Sequence, residues 1–132
     1  MKKFLVCILL LAICFFNGLF AQSNDQQLID SLLVVLPKTA DTSKINILNR
    51  LSYQYSLIDT KKGILYGNEA LILSQKKSWK KGEAISNFNI GENYFKGSNY
   101  DVSIAYLNKS LLIFTTLNNQ KWIAKCYHQT AR

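Results

Sequence analysis

Residues 84–119, AISNFNIGENYFKGSNYDVSIAYLNKSLLIFTTLNN, decide the fold. Ala84, Phe88, Gly91 and Phe95 fall at i, i+4, i+7 and i+11, which is one stripe of an α-helix. Gly97-Ser98-Asn99 breaks that stripe as a turn does. Asp101 stands where it can cap a second helix. Ile104, Leu107, Leu111 and Phe114 then form another stripe, which Leu117-Asn118-Asn119 ends. Strand-like alternation is absent throughout, and one proline with six glycines argues against a chain of many short strands.

Working outward, the same pattern recurs 40 residues earlier. At that offset Ile45 meets Ile85, Asn49 meets Asn89 and Ile64 meets Ile104. Tyr66, Asn68 and Leu71 likewise meet Tyr106, Asn108 and Leu111. Leu48 with Phe88 and Tyr55 with Phe95 keep the chemical class. A third copy starts at the same offset, with Lys121 on Lys81, Ala124 on Ala84 and Ala131 on Gly91. The repeats are therefore read as 44–83, 84–123 and the start of a third at 124–132. Ahead of them, residues 22–43 form an N-terminal helix and connector. Leu28, Ile29, Leu32, Leu33 and Leu36 share one helical face, Pro37 stops the helix, and Asp41, Thr42 or Ser43 can cap the next one. The expected fold is all-α: five helices, with the chain ending inside the first helix of the third copy.

The chain opens on a targeting segment. Lys2 and Lys3 precede 13 apolar residues, Phe4 to Phe16, and Ala21 stands just before a polar stretch. That is the layout of a secretory signal peptide over 1–21, cleaved after Ala21. The run falls short of the roughly 20 apolar residues that span a bilayer. Cleavage would leave 14 bases against 8 acids, a net charge of +6, and Cys126 as the single cysteine, so no internal disulfide could form. An exported location, periplasm or cell envelope, follows.

Asn89-Ile90-Gly91-x-x-Tyr94, Tyr100, and Ile104 through Leu111 together resemble the tetratricopeptide repeat. That family places a small residue in the first helix, an aromatic three later, a tyrosine past the turn, and small residues in the second helix. Gly91, Tyr94, Tyr100, Ser103 and Ser110 stand at those places. The resemblance implies an α-solenoid of antiparallel helix pairs. Here the period is 40 rather than about 34 residues, the proline that often ends the second helix is replaced by Thr115, and Leu51 fills the small-residue slot of the first copy. The order of signal peptide, leucine-rich helix, connector and repeats is similar to the N-terminal regions of exported repeat proteins of Bacteroidetes-type bacteria. In some of those the repeats precede a histidine kinase or a transcriptional regulator.

Chemistry is sparsely represented. His128 is the single histidine, the acids are scattered, and no phosphate-binding glycine loop occurs. Cys126 and His128 make at most half a metal site. No catalytic, cofactor or metal site is expected, and the chain is read as a non-enzyme. Lys61-Lys62, Lys76-Lys77 and Lys80-Lys81 read as solvated helix ends, or as a surface for an acidic partner or anionic membrane. Nucleic acid is not expected as a partner. The most specific hint is a row of amides, Asn49, Asn89 and Gln129, at one repeat position. The resemblance implies that such a row can hold the backbone of an extended ligand, because an amide both donates and accepts. The other reading is a hydrogen bond between repeats that sets their register. The expected function is a protein–protein interaction scaffold, and the alternative is the extracytoplasmic sensor segment of a larger signalling protein. Self-association through an apolar stripe of Ile123, Ala124, Tyr127 and Ala131 is a further expectation.

Overall fold

The computed structural model of the chain describes residues 24–132. The expected signal segment and its cysteines therefore lie outside the described residues. Six helices follow one another, and no strand occurs among the described residues. Helix α1 covers 24–35 and runs into a single 3-10 turn, Leu36–Lys38, where Pro37 ends it. Then come α2 (Asp41–Tyr55), α3 (Thr60–Lys76), α4 (Lys80–Lys96), α5 (Tyr100–Thr116) and α6 (Gln120–Thr130). Helix α6 lies where the sequence predicts the first helix of a third copy, and it brings the count to six rather than five. None of these helices is long and apolar enough to cross a membrane.

Each helix from α2 to α5 packs on its successor, and α2 also touches α4. The pairs joined by turns are antiparallel. Between α4 and α5, Ser103 Oγ donates to the Gly91 carbonyl (2.8 Å) and Ser110 Oγ to the Ala84 carbonyl (2.9 Å), one residue ascending as the other descends. Helices α2 and α4 run in the same direction instead, since Asn89 meets Asn49 while Asn93 meets Ser52.

One turn is used three times. Ser78, Ser98 and Asn118 take left-handed backbone, with φ of 53°, 62° and 51°. At each, the next N–H reaches five residues back into the preceding helix: Trp79 to Ser74, Asn99 to Tyr94, Asn119 to Phe114. This pairing satisfies carbonyls that a helix end would leave bare. Gly97, the expected turn breaker, keeps an ordinary φ of −81°, and Ser98 takes the left-handed conformation instead. Capping differs from expectation as well. Asp59 caps α3 by accepting from Lys62 N–H, and Asn119 caps α6 by accepting from Trp122 N–H. Asp41 and Asp101 cap nothing: Ala40 and Asn99 precede their helices without a side-chain bond. The Asp41 carboxylate pairs with Lys77 at the end of α3, and that partner lowers its pKa.

The interior has two characters. At one end, Ile29 and Leu32 of α1 pack on Leu51 and Tyr55 of α2, as the leucine stripe requires. At the other, Ala84, Phe88, Leu107, Phe114 and Cys126 form an apolar cluster with Trp122 against it. Phe114 stacks on Trp122 with centroids 4.9 Å apart, and Phe88 meets the same indole edge-on at 5.3 Å.

Candidate functional site

The stripes that bury one face of α2, α4 and α6 leave a second set of residues on the same three helices to line a cleft, some of them exposed and some themselves buried. Helix α2 places Asn46, Asn49, Arg50 and Tyr53 there. Helix α4 adds Ile85, Phe88, Asn89 and Glu92, and α6 adds Trp122, Lys125, His128 and Gln129. Together they line two adjoining depressions of about 470 and 410 Å³, which share Tyr53, Phe88 and Lys125 and so make one cleft. Helical spacing explains the membership: Asn46, Asn49, Arg50 and Tyr53 recur at three and four residues, as do Ile85, Phe88, Asn89 and Glu92.

The amide row is placed as follows. Asn49 and Asn89 are brought together: Asn89 Nδ2 donates to the Asn49 carbonyl (2.9 Å) and to Asn49 Oδ1 (3.3 Å), and both residues are buried. Gln129 is buried too but joins neither; its Oε1 accepts from Arg132 Nη1 at 3.1 Å. The row therefore contains the register bond between α2 and α4. It also leaves two donors over, because Asn49 Nδ2 and Gln129 Nε2 are buried without a partner.

A third unpaired atom belongs to a residue that the sequence did not single out. Glu92 is 8% exposed and its Oε1 is buried with no hydrogen bond. Burial raises its pKa, while Arg132, Lys96 and His128 pull it back without forming an ion pair. The available signal was positional: Glu92 sits four residues after Phe88 and three before Phe95, so a carboxylate lies close to an apolar stripe. Tyr53 and Trp122 were missed for a different reason. Aromatics at helical spacing read as core, whereas Tyr53 is 49% exposed on the cleft wall.

The rim is basic. Arg50, Lys125 and His128 are exposed, and Lys125 Nζ lies 4.3 Å from the Trp122 ring centroid. Cys126 points the other way, into the core, where its thiol donates to Ser110 Oγ at 3.6 Å and burial raises its pKa. Cys126 and His128 therefore do not converge, and no cluster of three or more potential metal ligands occurs among the described residues. A larger depression of about 740 Å³ lies at the α2–α3 turn beside Lys61, Lys62 and Lys96. No residue with an unpaired buried polar atom lines it, whereas three such residues line the cleft; the other two such atoms, Ser74 Oγ and Asn93 Oδ1, lie in the helix packing.

No family model, curated protein or solved structure matches this chain.

Proposed function

We propose that this protein is an interaction scaffold that holds a peptide or an extended segment of another protein in the cleft across α2, α4 and α6. The observation that carries this reading is that three residues lining the cleft each hold an unpaired buried polar atom: Asn49 Nδ2 on α2, Glu92 Oε1 on α4 and Gln129 Nε2 on α6. A buried polar atom without a partner costs about 1–3 kcal/mol, and in folded proteins nearly all such atoms are paired. Two donors and one acceptor on successive cleft helices match the alternating carbonyls and amides of an extended chain. Exposed Tyr53 and half-buried Trp122 add the aromatic surface that anchors partners.

The same proposal includes the tetratricopeptide-like solenoid and its 40-residue repeat. Its supports are the helix starts at residues 60, 80, 100 and 120, the thrice-used turn, and the Asn49–Asn89 bond across one repeat. Export belongs to the reading on the strength of residues 1–21 alone.

Panning a random-peptide library on the purified protein tests the function. Selected peptides should lose about tenfold in affinity or more on Tyr53→Ala, a loss of about 1.4 kcal/mol. Leu65→Ala and Leu112→Ala, on the exposed faces of α3 and α5, should leave binding unchanged. Peptides that ignore Tyr53 and depend on Leu65 or Leu112 would move the binding surface off the cleft.

A further inference from the structure

We propose that Glu92 selects the ligand: the cleft takes a chain segment carrying one lysine or arginine, seated on the Glu92 carboxylate and flanked by acidic residues. This inference rests on the cleft being a binding surface and deepens that reading.

Position gives the first reason. Ser52 stands 40 residues before Glu92, and its hydroxyl donates to the Gly63 carbonyl of the following helix at 2.7 Å. Glu92 does no such work. Nothing among the described residues hydrogen-bonds to its carboxylate, and no cation lies within ion-pair distance. A carboxylate oxygen this buried is normally paired, because taking it out of water without a partner is unfavourable. The nearby bases offset this only from a distance, and none makes an ion pair with it. Arg132 is engaged elsewhere, donating to Gln129 Oε1 and lying 5.2 Å from the Phe95 ring centroid. Glu92 therefore keeps its attraction for a cation that arrives from outside.

Shape and surroundings narrow the cation. The depression of about 410 Å³ in front of Glu92 is walled by Tyr53 and Phe88. Aromatic side chains and a carboxylate on one lining, with Lys125 and His128 beside them, suit a side chain with an apolar stem and a cationic tip whose neighbours are acidic, which describes lysine or arginine in an acidic segment. A single carboxylate is too few ligands for a metal ion. The rim then sets the neighbours. Arg50, Lys125 and His128 are exposed around the cleft, and the whole chain carries a net charge of +8. A uniformly basic ligand would be repelled before it seated, whereas acidic residues beside the anchor would meet the rim bases.

The test selects random peptides in parallel on the wild-type protein and on Glu92→Gln, an isosteric change whose folding is checked by thermal unfolding. Wild type should enrich peptides with one lysine or arginine between acidic residues, and Glu92→Gln should lose that preference. In fluorescence anisotropy, replacing the peptide's basic residue by norleucine should weaken wild-type binding about tenfold or more and leave binding to Glu92→Gln nearly unchanged. The peptide arm needs no protein variant, so it decides the matter even if Glu92→Gln folds poorly. Peptides that depend on Tyr53 but carry no basic residue, or that tolerate norleucine, would overturn the role of Glu92 and leave the cleft standing. A selection that yields no Tyr53-dependent peptide would overturn both.

Discussion

Helix α4 is held on its two sides by different chemistry. Towards α2 and α3 the seam is polar and close. Asn93 is fully buried, and its Nδ2 donates to the Ser52 carbonyl (3.0 Å) and to the Asn89 carbonyl (2.8 Å). Gly63 and Gly67 make room for this: a Cβ on Gly63 would lie 1.8 Å from Asn93 Oδ1, and one on Gly67 would lie 2.6 Å from Ile90 Cγ1. Towards α5 and α6 the seam is apolar, built from Phe88, Leu107, Phe114 and Trp122, with serine hydroxyls turned onto carbonyls at its edge. Burial stabilises the second seam in proportion to area and tolerates small shifts. Directional bonds hold the first to one register, because a slip of one turn would cost Asn89 its bonds to Asn49 and Asn93 its bonds to Ser52, leaving Asn93 only its bond within α4. The difference teaches that one helix can take its stability from one neighbour and its alignment from another.

The largest expected effect breaks the apolar seam. Phe114→Ala should cost about 3–5 kcal/mol in urea unfolding, since Phe114 is fully buried and stacks on Trp122. Asn93→Ala should cost less, about 1–3 kcal/mol. A larger loss for Asn93→Ala than for Phe114→Ala would reverse the division of labour between the seams. Gly91→Leu probes the α4–α5 packing directly. Even a Cβ there would lie 2.9 Å from Leu107 Cγ and 3.2 Å from the Ser103 carbonyl oxygen. The overpacked variant should lose about 1–3 kcal/mol, and an unchanged melting curve would mean that Gly91 does not sit at this contact.

Smaller effects sharpen the picture. Ser98→Gly should stabilise by up to about 1 kcal/mol, because Ser98 has φ 62° and only glycine takes that conformation freely. Glu92 gives a pH signature. Burial raises its folded-state pKa above the ordinary 4.5, so the folded state holds the proton more tightly than the unfolded one. Its contribution is therefore most favourable below 4.5 and declines as pH rises from there through the raised value. Glu92→Gln should match wild type in acid and melt slightly higher at neutral pH. Equal melting temperatures at both would show that the carboxylate is not buried at a cost.

Much of this was legible in the sequence. Of the stripes read for α4 and α5, Ala84, Phe88, Gly91, Leu107 and Phe114 are buried, Phe95 and Leu111 are partly buried and Ile104 is exposed; on the α1 face Ile29 and Leu32 are buried and Leu28, Leu33 and Leu36 partly so. Apolar spacing carries that information because only one helical face can meet the core. Local chemistry was less legible. Asp41 and Asp101 look like caps, yet capping depends on backbone geometry that composition does not encode. Gly97 drew attention as the turn residue, while Ser98 bears the left-handed backbone. The amides were singled out by their 40-residue spacing, but only three-dimensional packing shows that Asn49 and Asn89 bond to each other while Gln129 pairs with Arg132. Glu92 carries only a weak signal, its spacing from Phe88 and Phe95, and it is the packing that shows it buried.

The most direct test of the cleft follows side-chain amide resonances by NMR while a selected peptide is titrated into the protein. The NH₂ signals of Asn49 and Gln129, whose donors are unpaired, should shift as they gain partners. Those of Asn93, already bonded in the α2–α4 seam, should stay in place. Shifts confined to residues of α3 and α5, with Asn49 and Gln129 unmoved, would contradict the placement of the binding surface on α2, α4 and α6.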